Sequence, residues 1–63
     1  MLDVLDYRNG RYQGQTLFKQ PHGVGIFLTL NFTFIVAYWK HGKIDGKALV
    51  VYANGSMFAG EIY

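Results

Sequence analysis

The side chains able to do acid–base or metal chemistry are few. Four carboxylates (Asp3, Asp6, Asp45, Glu61) and two imidazoles (His22, His41) make up the set, and there is no cysteine. Asp3 and Asp6 could flank a site, but near a chain end they read as solvated groups. Asp45 sits in "KIDG", where Asp is ordinary turn chemistry, and Glu61 is expected to face solvent beside the last strand. His22 precedes a glycine in a turn. Two imidazoles without a thiolate are too few for a zinc cage. No nucleophile is paired with a base, and "GVG" at 23–25 lacks the helix a dinucleotide fingerprint needs. The expectation is a non-enzyme with no cofactor, no metal and no small-molecule substrate.

Other residue types could act by binding. Lys40, His41, Lys43 and Lys47 form a basic stretch, while Arg8, Arg11 and Lys19 are scattered. Each basic group adds about 1 kcal/mol near an anionic bilayer surface, so this stretch is a candidate lipid-binding turn. Its bland alternative is a solvated loop. The net charge of +2 is far short of a nucleic-acid stripe, and the aromatics are expected to pack in a sheet rather than stack on bases. Phe34, Tyr38 and Trp39 are the expected centre of a protein-binding surface, because Trp and Tyr dominate binding hot spots.

These residues need elements to hold them. A chain of 63 residues makes one small domain that buries only about 60% of its unfolded surface. Without disulfides, a partner or larger assembly is the expected staple. Half the chain is hydrophobic and 17% is aromatic, which excludes a disordered tail. Asp3 and Asp6 occupy the place of a signal peptide's basic region, so an intracellular, cytoplasmic location is expected. The sixteen residues from Val24 to Trp39 carry no charge but are too short to span a bilayer as a helix. They read as two buried strands and a turn, the alternative being a membrane-inserted hairpin.

"YRNGRYQG" at 7–14 and "YANGSMFAG" at 52–60 read almost alike. A period of 23 residues underlies them. Tyr12, Ile35 and Phe58 share a phase, followed by Gly14, Ala37 and Gly60, then Gly23 and Gly46, then Gly25 and Ala48. Between 12–34 and 35–57 only Gly23/Gly46 and Asn31/Asn54 are identical, so a class pattern repeats rather than a sequence. Period-two alternation places Val24, Ile26, Leu28 and Leu30 on one face, with Leu49 and Val51 equivalent. Asn9-Gly10 and Asn54-Gly55 are hairpin signals, and looser turns are expected at "KQPHG" (19–23) and "KHGKIDG" (40–46). The prediction is an all-β, single-layer antiparallel meander with strands near 11–18, 24–30, 33–39, 47–52 and 57–63. Residues 1–7 are an extra strand or a capping turn. Large rings are expected to lie over glycines of neighbouring strands.

These positions carry a resemblance. "YQGQTLFKQPHGVG" and "IVAYWKHGKIDGKALVVYANGSMFAG" resemble the MORN repeat over residues 9–63. Tyr12, Gly14, Gly23 and Gly25 match in the first unit, and Trp39, Gly42, Gly46, Gly55, Phe58 and Gly60 in the second and the start of a third. Thr16, Lys19, Phe32, Ile35, Ala37 and Ala48 depart from the motif. The resemblance divides the chain into a segment 1–8, units 12–34 and 35–57, and a partial unit 58–63. It implies a hairpin sheet that serves as a scaffold or small subunit of a large assembly, of ciliary or cytoskeletal kind, with other protein subunits as partners. It also implies phospholipid binding as an alternative and, more weakly, an accessory role beside an enzyme in another chain. Met1 fits a natural start, while the unit left open at Tyr63 fits truncation or completion by a neighbour.

Overall fold

The computed structural model describes residues 2–61. Six strands lie in one antiparallel sheet in chain order: β1 (Leu2–Tyr7), β2 (Gly10–Leu17), β3 (Gln20–Thr29), β4 (Phe34–Lys40), β5 (Lys43–Val51) and β6 (Met57–Glu61). Consecutive strands are hairpins, and no helix is present among the described residues. Accordingly none is long and apolar enough to cross a membrane. Of the open segment 1–7, Leu2–Tyr7 forms strand β1, paired with β2 from Leu2↔Gln15 to Tyr7↔Gly10, and residue 1 lies outside the described residues. The end of the expected last strand, 62–63, lies outside the described residues.

Cross-strand pairing arranges the side chains in rows. Leu5, Tyr12, Phe27, Ile35, Val50 and Phe58 are directly opposite one another from edge to edge. Beside them runs a row of small residues headed by Asp3: Gly14, Gly25, Ala37, Ala48 and Gly60. Opposed residues share a face, so large and small rows lie side by side on what we term the ring face. The rings lean over the small row. Tyr12 is fully buried and, with Trp39, Ala37 and Ala48, forms the core. The Trp39 indole meets the Tyr12 ring edge-on, centroids 5.5 Å apart, and the Phe27 ring at 6.3 Å.

The 23-residue period is visible in the backbone. Gly14↔Gly25, Thr16↔Pro21 and Leu17↔Gln20 of β2–β3 recur as Ala37↔Ala48, Trp39↔Ile44 and Lys40↔Lys43 of β4–β5, with a register shift at the same place in each. A bulge bends its strand. At the first one the Tyr12 hydroxyl donates 2.5 Å to the Gln15 carbonyl, so β2 curls up toward the ring. Gly42 N–H donates 3.0 Å to the Pro21 carbonyl and ties the two hairpin tips together.

The turns correct the sequence reading. Leu17 pairs with Gln20 and Lys40 with Lys43, so two residues reverse the chain and the rest of 19–23 and 40–46 belongs to strands. Phe18 (φ 51°) and Lys19 (φ 64°) match His41 (φ 51°) and Gly42 (φ 81°), the positive pair a type I′ turn requires. Nothing in Phe-Lys announces that conformation. At the first turn Tyr7 pairs with Gly10, so Arg8-Asn9, not Asn9-Gly10, occupies the centre.

The longer turns also repeat. Thr29 N–H donates to Thr33 O and Phe32 N–H to Thr29 O, at 2.9 and 3.1 Å; Tyr52 to Ser56 and Gly55 to Tyr52 are both 2.9 Å. The left-handed position holds Gly55 in one turn and Phe32 (φ 63°) in the other. A bulky residue is strained there, and Phe32 is well exposed. Phe32→Gly is therefore expected to stabilise the fold by about 0.5–1 kcal/mol. The measurement is a raised urea midpoint at unchanged m. A lowered midpoint would mean the ring contributes packing.

Candidate functional site

The opposite face is bare. Val4, Gln13, Ile26, Val36, Leu49 and Ala59 form its central row, and Leu28, Phe34, Val51 and Met57 flank it. Val24 pairs with Tyr38 at the other side. Half or more of Val24, Tyr38 and Met57 is exposed. The uncharged stretch 24–39 therefore forms two half-buried strands, not two buried ones. Both of its faces are apolar, and a single layer covers only one.

Of the expected partner-binding residues, Phe34 and Tyr38 lie on this bare face and Trp39 does not. Tyr38 is 57% exposed and Trp39 only 7%. Adjacent strand residues point to opposite sides, so Trp39 cannot share a surface with Tyr38. Its Nε1 donates 3.1 Å to the Gly25 carbonyl within the protein. Trp39 belongs to the core.

The basic stretch is similarly divided. Register puts Lys40, Lys43 and Lys47 on the side of Tyr38, with Lys40 directly opposite Lys43 and Lys47 opposite Glu61. Like charges facing one another across a ladder are destabilising. His41 instead stands in the turn, with its ring edge-on to His22 at 5.3 Å. The His22 Nδ1 is buried without a hydrogen-bond partner. Sequence spacing hid this pair, since the two imidazoles meet only because the hairpin tips are tied. No group of three or more metal-binding side chains occurs among the described residues.

The carboxylates are dispersed. Asp3 accepts 2.7 Å from the Thr16 hydroxyl, and Asp6 accepts 2.6 Å from Arg11 Nε. They project to opposite faces and are held by strand β1, not by a frayed end. Asp45 lies within β5 rather than in a turn. Among the repeat glycines, Gly14 and Gly25 sit in the ring-face core. Gly60 underlies Phe58, and Gly23, Gly42, Gly46 and Gly55 carry positive φ.

The Tyr12 phenol is shifted from its ordinary titration range. Burial pushes its phenol up from the usual 10.0, the nearby Tyr7 phenol adds to this, and a backbone hydrogen bond from His22 opposes it. The folded state therefore prefers the neutral phenol. This contribution is complete below the unfolded value near pH 10 and is lost as pH rises through the folded value. A urea midpoint falling above pH 10, less steeply in Tyr12→Phe, is the expected result. An unchanged slope would remove Tyr12 as the cause.

A cleft of about 580 Å³ also opens on the ring face, between the aromatic row and the tied hairpin tips. Fold and faces together define a single-layer β-meander with one aromatic, glycine-packed face and one bare apolar face. Compared with known proteins, the chain matches no protein-family model, no curated protein and no solved structure.

Proposed function

We propose that the chain is a non-catalytic interaction module, a small subunit or scaffold element that docks other proteins on its bare face. The observation carrying this reading is that apolar face, which nothing in the described chain covers. Stable domains bury sheet faces against a second layer, and contiguous exposed apolar surface marks an interaction site. The open edges of β1 and β6 offer unpaired backbone groups as a second means of attachment. The MORN-like positions, from Tyr12 and Gly14 to Phe58 and Gly60, support the same reading. On that resemblance the setting is intracellular, within a cytoskeletal or ciliary assembly.

The test is native purification of the tagged chain from its own cells, beside a Phe34→Glu/Tyr38→Glu variant. One defined stoichiometric set of proteins, lost in the variant, is the expected outcome. Recovery of the same set with the variant would overturn docking through this face.

A second reading is attachment to an anionic membrane surface, favoured by the opposed Lys40 and Lys43 beside the exposed Tyr38. It requires sedimentation with anionic vesicles that weakens with salt. No association at low salt would end it.

A further inference from the structure

We propose that the ring-face cleft is a binding site for a small flat aromatic anion, an aryl carboxylate or its like. This inference concerns the covered side of the sheet and stands apart from the docking role of the other face. Tyr7, Phe27, Ile35, Trp39 and Pro21 supply apolar walls, and the volume of about 580 Å³ suits a two-ring molecule. The walls are preformed. Trp39 is anchored by its bond to the Gly25 carbonyl, and the Phe27 ring stands 6.3 Å from Trp39 and 6.0 Å from Tyr7.

The charge of the ligand follows from the lining. Among the described residues Lys19 is the one charged group in its lining, Asn9 and Gln20 are neutral amides, and no carboxylate is part of that lining. No salt bridge engages Lys19 among the described residues. Lys19 also borders a second cleft that Asp3 lines, but the aromatic cleft itself holds one cation and no acid in its lining, which is complementary to an anion.

The tight turn brings Lys19 to the cleft. Lys19 holds φ 64°, and its counterpart 23 residues on, Gly42, holds φ 81° in the same turn and borders the same cleft. Glycine takes this conformation without cost, and lysine is strained in it. Here the turn places Lys19 in the lining of the cleft, beside Gly42.

The probe is 2-naphthoate, followed by chemical shifts of the Trp39 indole N–H and the backbone amides. The cationic 2-naphthylmethylamine serves as comparison. Saturable shifts at Trp39, Phe27 and Lys19 are expected for the anion, with affinity at least about tenfold weaker for the cation. Lys19→Gly is expected to match or exceed the parent's urea midpoint, because it relieves the turn, yet to weaken naphthoate at least about tenfold. Lys19→Gln keeps the strained backbone, removes the charge and should weaken binding equally. No saturable shift at millimolar ligand, equal binding by Lys19→Gly, or equal affinity for the cation would each overturn the proposal. Failure here leaves docking through Phe34 and Tyr38 untouched.

Discussion

Gly25→Ala is expected to unfold the chain. An added Cβ would lie against Tyr12 Oη, Cζ and Cε1, closer than real Cβ contacts come. The ring has nowhere to go. Tyr12 is fully buried, its hydroxyl is bonded to the Gln15 carbonyl, and its ring packs T-shaped against Trp39. Trp39 is in turn bonded to the Gly25 carbonyl, so displacing one ring dislodges the other. Gly25 does not carry a positive φ, which leaves space as the whole cause. Overpacking costs about 1–3 kcal/mol, and expelling a core aromatic about 3–5. A domain of this size has only ~3–9 kcal/mol in total. Gly46→Ala is the control. Nothing lies within 4 Å of its Cβ, and only the positive φ of 87° opposes it, at about 1–2 kcal/mol. Urea melts should rank the two far apart. Equal midpoints would show that the ring-on-glycine contact does not hold the sheet.

Trp39→Ala and Tyr38→Ala, neighbours in sequence, should differ as much. Trp39 links β3 and β4 through its indole N–H and packs on Tyr12 and Phe27, so its truncation is expected to cost about 3–5 kcal/mol. Tyr38 stands on the bare face, and its loss should cost below about 1 kcal/mol. Binding should move oppositely, because only Tyr38 is available to a partner. A Tyr38→Ala chain that unfolds like Trp39→Ala would mean that the bare face is covered within the protein. Circular dichroism with urea titration of both variants decides it.

Much of this arrangement was legible beforehand. Aromatic-x-small spacing at 23 residues foretold strands whose rings pack on glycines, and Tyr12 over Gly25 is that contact. The hairpin signal at Asn54-Gly55 fell on a real turn, where Gly55 supplies the left-handed residue. Phe18-Lys19 was not legible as a tight turn. Neither residue favours positive φ, and the conformation is imposed by the pairing of Leu17 with Gln20. The grouping of Trp39 with Tyr38 and Phe34 failed because hot-spot composition says nothing about sides.

Composition and period-two alternation by themselves determined an all-β meander and which residues share a side. Local backbone preference is enough for that, since β-branched and aromatic residues favour the pleat and side chains alternate across it. Which side is covered was decided only by the tertiary structure. Both faces of β3 and β4 are apolar, so alternation alone cannot choose between them. The choice falls to the bulges that curl β2 over Tyr12, the bond tying Gly42 to Pro21, and the glycine row deep enough to accept rings. Those contacts join residues far apart in the chain, and they leave the face of Phe34 and Tyr38 bare.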